Sequence, residues 1–186
     1  MMDAPAPRTF LYTIGHSTRP IEETVVILQN YVIAVLIDVR KIPRSLRNPQ
    51  YHAQTLEASL RSAGISYSHW PELGGLRKPA ADSPNRGWKN KGFQGYADYM
   101  LTAGFQEAIE RLVRQARSQT TAILCAEAYY RKCHRMLISD ALTVRGVDVI
   151  HLVDINRVEL HKLTPFARVS GNRIVYGAPL QPGLFD

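Results

Sequence analysis

Cysteine is scarce in this sequence: Cys125 and Cys133 are the two in 186 residues. So few cannot build a disulfide scaffold, and no Cys-x-x-Cys pair is present to suggest a zinc knuckle or a dithiol redox motif. Reduced thiols are expected. Long apolar runs are also lacking, and none approaches the roughly 20 residues that cross a bilayer. The first residues, Met1 to Arg8, carry Asp3 and two prolines in place of an apolar signal core. A cytoplasmic protein with no membrane partner is expected.

Negative charge is in short supply. There are 16 Asp and Glu against 23 Lys and Arg, for a net charge of +7. The deficit is local: Arg40 to Lys91 holds ten basic residues against Glu57, Glu72 and Asp82, while the rest of the chain balances. Arginine outnumbers lysine 17 to six, and its planar fork suits phosphate or carboxylate better than a point charge does. A solvated basic face is one explanation. A phosphate-bearing ligand or nucleic acid is the sharper one.

What is present is a rhythm of short apolar runs and amphipathic stretches, the mark of βαβ units and a parallel sheet. Leu11–Ile14, Val32–Ile37, Ile65–Trp70, Thr121–Cys125 and Val147–Val153 read as five strands. Between them, helices are expected around Ile21, Val25 and Leu28, around Leu56 and Leu60, over Tyr96–Ala116, and around Leu137 to Leu142. Residues 71–95 lose all periodicity and read as a lid-like basic loop, with Trp88 and Phe93 placed to stack on a base. Phe166 to Tyr176 predicts a small hairpin turning at Ser170-Gly171-Asn172. The expected fold is therefore an α/β three-layer sandwich around a mainly parallel sheet of about five strands, in one domain. A flexible tail over residues 1–9 and an extended tail over 177–186 flank it.

Parallel strands share one carboxyl edge, where open α/β folds hold their ligands. On that edge the sequence puts Gly15-His16-Ser17, Asp38-Val39-Arg40 with Arg44, Ser45 and Arg47, and Leu73-Gly74-Gly75. The densest group comes last, Cys125-Ala126-Glu127 followed by Cys133-His134-Arg135. His16, Asp38, Glu127, Cys133 and His134 are the candidate catalytic residues. Ser17, Arg40, Arg44, Ser45, Arg47, Gly74, Gly75 and Arg135 are the candidate substrate-binding set. Taken alone, Asp38 with Arg40 reads first as a structural ion pair, while Glu127 with Arg135 reads equally as a salt bridge or as functional groups. Cys125 and Arg131 have the spacing of a phosphatase Cys-x5-Arg loop, but that loop needs glycine and Ala126 to Tyr130 contains none. Cys125, Cys133 and His134 fit no common zinc spacing, so no metal ligands are assigned. A looser set of His16, Asp38, Glu127 and His134 keeps a metal-dependent hydrolase as an alternative, and no cofactor is required.

These segments, in this order, resemble an uncharacterised bacterial and archaeal family, number 488 among the domains of unknown function. The resemblance runs from about Tyr12 to Tyr176 and implies the fold and the position of the site, without implying a reaction. Separately, Gln181-Pro182-Gly183-Leu184-Phe185 resembles the Gln-x-x-Leu-Phe peptides that bind bacterial sliding clamps, with Gln181, Leu184 and Phe185 as anchors. Two functions from different classes follow. One is an enzyme acting on a nucleotide or nucleic acid, in hydrolysis or glycosyl transfer. The other is a non-catalytic nucleic-acid adaptor recruited to the clamp.

Overall fold

The computed structural model describes residues 8–177, so the clamp-like pentapeptide lies outside the described residues. Strands β1 (Thr9–Gly15), β2 (Val35–Asp38), β3 (Ser66–His69), β4 (Thr121–Cys125) and β5 (Val147–Leu152) run parallel. A short β6 (Val158–Leu160) pairs antiparallel with β5, giving the sheet order β3-β2-β4-β1-β5-β6. β7 (Ala167–Ser170) and β8 (Arg173–Tyr176) form the separate hairpin. Every residue of β2 and β4 is buried, as continuous apolar runs covered on both faces must be.

Helices cover both faces. α1 (Ile21–Asn30) and α2 (Ala53–Ser62) bury Ile27, Leu28, Leu56 and Leu60 against Ile14, Leu36, Ala122 and Leu124. α3 (Lys91–Met100), α4 (Ala103–Ser118) and α5 (Arg135–Thr143) bury Tyr96, Phe105, Ile109, Leu112 and Leu137 against Leu11, Ile37, Ile123 and Val149. Each large apolar side chain withdrawn in this way contributes about 1.5–3 kcal/mol. α2 stops at Gly64, whose φ of +75° only glycine adopts cheaply.

Four features differ from the sequence expectation. The strand read over Val32–Ile37 begins at Val35 and ends at Asp38, because Val32 sits exposed in the preceding turn at a φ of +52°. The long helix over 96–116 is two helices, starting at Lys91 and broken at Leu101-Thr102. Asn90 caps the first by accepting from the amides of Gly92 and Phe93, and Thr102 caps the second by accepting from Phe105 N. The sheet gains β6 as a sixth strand. The unpatterned basic segment is also tied down. Asp98 on α3 accepts from Ala80 N (2.9 Å), Ser83 Oγ (2.6 Å) and Asn85 Nδ2 (2.8 Å), while Gly87 N donates to Tyr176 O. Trp88 packs among Phe93, Phe166 and Tyr176, within the protein's own aromatic cluster.

Strand order decides where a site can form. The connections leaving β1 and β2 pass through helices on one face, while those leaving β3 and β4 pass through helices on the other. β4 lies between β2 and β1. The backbone therefore splays apart on either side of the carboxyl end of β4, which is a topological switch point.

Candidate functional site

The parallel pairing continues past the strands. His16 N donates to Cys125 O (3.0 Å), Ser17 N to Ala126 O (2.8 Å), and Val39 N to Leu124 O (3.0 Å). These bonds hold the ends of β1 and β2 against both sides of the Cys125-Ala126-Glu127 turn. Beyond the turn, a 3-10 helix at Tyr130–Lys132 leads into Cys133 and the start of α5. Cys133 Sγ accepts from Arg135 N (3.5 Å), so a thiol sulfur occupies the place of an oxygen cap at this helix start.

Two hollows open here. A cleft of about 350 Å³ has Cys125, Cys133, His134, Gly75 and Tyr96 in its lining, with Ile42, Leu76 and Phe93 as apolar wall and Arg40, Lys41, Arg44, Lys132 and Glu127 as its charged groups. A neighbouring groove holds His16, Ser17, Ser45, Arg47 and Asn48 and shares Ala126, Glu127 and Lys132 with the cleft. The structure thus gathers Arg40, Arg44, Gly75, Glu127, Cys133 and His134 in one hollow, and His16, Ser17, Ser45, Arg47 and Glu127 in the next. Asp38, Gly74 and Arg135 line neither and stand behind them, buried.

Asp38 is fully enclosed and grips Arg40, accepting from Nε at 2.9 Å and Nη2 at 2.5 Å, with Tyr67 Oη donating at 2.9 Å. Arg40 Nη2 also donates to Tyr51 O (2.8 Å), and Nη1 lies 3.3 Å from His16 Nε2. Of the five guanidinium N–H donors, this leaves one on Nη1 for the cleft. Burial opposes the charge on Arg40, but the Asp38 carboxylate outweighs it and raises the pKa. His16 stacks on Tyr51 with 4.0 Å between ring centroids, and its Nδ1 donates to Ser17 O (2.8 Å). Its Nε2 lone pair then faces Arg40. Burial, reinforced by the Arg40 charge, lowers the His16 pKa to about 4, so the ring is neutral at pH 7.

Arg135 is also committed. Its Nε donates to Cys133 Sγ (3.4 Å), its Nη1 to Thr13 Oγ1 (3.5 Å), and its Nη2 to the backbone carbonyl of Glu127. The partner is the carbonyl, not the carboxylate, so Arg135 fixes the turn and leaves the Glu127 side chain exposed, with no polar partner among the described residues. Gly15 makes the arrangement fit, because a Cβ there would strike the Glu127 carbonyl oxygen and come 2.7 Å from Arg135 Nη2. Gly15→Ala is expected to cost at least about 1–3 kcal/mol by overpacking, read as a lower urea midpoint at unchanged slope.

The two thiols differ. Burial opposes ionisation of Cys133, yet the Cys125 thiol, Arg135 and His134 together bring its pKa well below the ordinary thiol range. Cys125 moves the opposite way, through its hydrogen bond to Cys133 and through burial. Arg131 stands clear of this pair, turned to Glu159 at 3.8 Å, so no Cys-x5-Arg anion loop forms.

Several residues were invisible to sequence reasoning. Lys41, Asn90, Tyr96 and Lys132 join the cleft without any local pattern to announce them. Behind the site runs a buried chain of hydrogen bonds: Thr13 Oγ1 to His151 Nδ1 (2.7 Å), His151 Nε2 to His161 Nδ1 (3.0 Å), and His161 Nε2 to Asp140 Oδ1 (2.9 Å). Tyr176 Oη and Thr164 Oγ1 donate to the other Asp140 oxygen, each at 2.7 Å. Burial, with His161 and Arg135 nearby, lowers the His151 pKa to about 2. The fold therefore refuses protons at His16 and His151 that the unfolded chain accepts near pH 6.5. Their stabilisation is complete above that pH and declines as pH falls below it, by up to about 1.4 kcal/mol per pH unit for each histidine. Urea midpoints should drop between about pH 6.5 and 4.5, with a shallower decline in His16→Asn.

A parallel-sheet α/β sandwich with a cationic, cysteine-floored cleft at its switch point is the class that fold and site define. Within that class, the chain belongs to the family described as domain of unknown function DUF488, whose model matches residues 20–142, more than half of the sequence. The match takes in Asp38 to Arg40, Leu73 to Gly75, Cys125 to Glu127 and Cys133 to Arg135, and begins after His16 and Ser17. No curated protein and no solved structure matches the chain. Among the described residues, no helix is long and apolar enough to cross a membrane.

Proposed function

We propose that this protein is an enzyme that binds a nucleotide-sized, phosphate-bearing ligand in the switch-point cleft and hydrolyses it. The observation that carries this reading is the charge layout of the cleft: Arg40, Lys41, Arg44 and Lys132 line it, with Glu127 as its one acidic group among the described residues. The other nearby carboxylate, Asp38, is consumed by Arg40. In this reading Arg44 and Lys132 hold the phosphate, and Arg40 offers its remaining N–H from a fixed position. Ile42, Leu76 and Phe93 supply an apolar wall for the rest of the ligand, as ligand clefts ordinarily have. Leu76 keeps a φ of +61° at that mouth, the kind of backbone strain that clusters at ligand sites. Glu127 is the general base, since it is the carboxylate free to take a proton from water.

Calorimetric titration with nucleoside monophosphates and with inorganic phosphate tests the reading. Wild-type protein should bind, and Arg44→Ala with Lys132→Ala should weaken binding at least about a hundredfold, because each charged hydrogen bond is worth about 1.5–3 kcal/mol. Binding that ignores both substitutions would remove the cleft as the anion site. A polynucleotide affinity that falls steeply with salt, with no turnover of any nucleotide, would favour the adaptor instead.

A further inference from the structure

We propose that Cys125 Sγ, Cys133 Sγ and His134 Nδ1 form a binding site for one borderline-soft divalent cation, zinc above all, with its fourth coordination position opening into the cleft. The three atoms lie within 4.8 Å of one another. Nδ1 is 3.9 Å from the Cys125 sulfur and 3.7 Å from the Cys133 sulfur. A tetrahedral zinc with Zn–S of about 2.3 Å and Zn–N of about 2.0–2.1 Å places sulfur and nitrogen about 3.6 Å apart. Both nitrogen–sulfur distances are within a few tenths of an ångström of that spacing, and the two sulfurs, no more than 4.8 Å apart, would close to about 3.8 Å on binding.

The surroundings are prepared in the same sense. His134 Nε2 lies 3.1 Å from Val39 O, so the ring N–H donates there and the Nδ1 lone pair faces the two sulfurs. Tying the second ring nitrogen to a backbone carbonyl is the usual way a metal-binding histidine is oriented. Arg135 donates two N–H groups to Cys133 Sγ, at 3.4 and 3.5 Å, which directs the sulfur's remaining lone pairs. Gly75 keeps the space beside Nδ1 open, since a Cβ there would come within 2.9 Å of it. All three ligands sit on firm elements: Cys125 ends β4, and Cys133 and His134 lead into α5.

Ligand chemistry narrows the metal. Two sulfurs and one imidazole favour zinc over magnesium or calcium, which take oxygen. Three protein ligands leave a position for water or a ligand oxygen, the pattern of catalytic rather than structural zinc. The looser set of His16, Asp38, Glu127 and His134 offers no such focus, because Asp38 and His16 Nε2 face Arg40. Metal occupancy stands apart from the proposed hydrolysis; only the metal's action on a bound phosphate rests on that reading.

The test begins with full-length protein purified under reducing conditions without chelator. Elemental analysis should find about one zinc per chain. Protein stripped with chelator and shown by circular dichroism to keep its fold should bind cobalt(II) to saturation at about one equivalent. Thiolate-to-cobalt charge-transfer absorption should appear, and both thiols should lose reactivity toward a disulfide reagent. Cys133→Ala and His134→Ala should each weaken cobalt binding at least about a hundredfold, while Arg44→Ala should leave it unchanged and weaken phosphate binding. Less than about a tenth of an equivalent of metal, with no charge-transfer band and both thiols still reactive, would overturn the proposal. The wild-type cobalt titration decides the matter even where a variant fails to fold. Metal binding without phosphate binding would sink the hydrolysis reading alone.

Discussion

Replacing Asp38 with alanine is expected to destabilise the protein by about 3–5 kcal/mol, the cost of leaving a buried charge without its partner. The Asp38 side chain is 0% exposed and that of Arg40 5%, so water cannot take over the carboxylate's role. Two further donors, Tyr67 Oη and Arg40 N, lose their acceptor with it. Asp38→Ala/Arg40→Met should recover part of the loss, because it removes the unpaired charge along with the pair. Urea unfolding at pH 7, followed by circular dichroism, measures both variants. A loss below about 1 kcal/mol in the single variant would mean that the pair behaves like an exposed one. Ligand binding should weaken as well, since Asp38 holds Arg40 at the cleft without touching the cleft itself.

Glu127→Gln should separate chemistry from folding. The side chain is exposed, so stability should change by no more than about 0.5 kcal/mol. The backbone position is fixed by the Arg135 guanidinium on the Glu127 carbonyl, and glutamine preserves that bond. Nucleotide binding should persist or tighten, because a negative charge leaves a site built for an anion. Turnover, measured on the nucleotides that calorimetry identifies, should fall by about 10²–10⁴, the usual contribution of a positioned general base. A loss of less than about tenfold would strip Glu127 of that role. A parallel loss of stability would show that the side chain has a structural part it does not display in its contacts.

Much of the fold is written locally in the sequence. β2 and β4 are legible because strands buried on both faces become unbroken apolar runs. The break between α3 and α4 is not, because the apolar stripe runs through it and a single threonine makes the cap. β6 is only three residues long, with an exposed Val158 and Leu160, and joins the sheet through pairing with β5. The basic segment before α3 looks unpatterned because its order comes from one distant carboxylate, Asp98, holding polar groups spread over 80–85.

The site divides in the same way. Its position follows from strand ends, which the apolar runs disclose. Which groups are free and which are committed depends on contacts across the chain. Asp38 and Glu127 both read as carboxylates after a strand, yet one is locked to Arg40 and the other faces the cleft. Cys125, Cys133 and His134 have no recognisable ligand spacing, because a turn and a 3-10 helix, rather than a knuckle, bring them together. The Thr13-His151-His161-Asp140 chain joins three strands or loops and one helix, and nothing in the sequence near any one of them points to the others.

The most direct test of the cleft as an anion site is a crystal structure of the full chain soaked with a nucleoside monophosphate. The phosphate should lie in the cleft within hydrogen-bonding distance of Arg44 and Lys132, with one oxygen facing the free Arg40 N–H and the base against Ile42, Leu76 or Phe93. A nucleotide bound elsewhere on the basic surface, with the cleft holding only water, would contradict it.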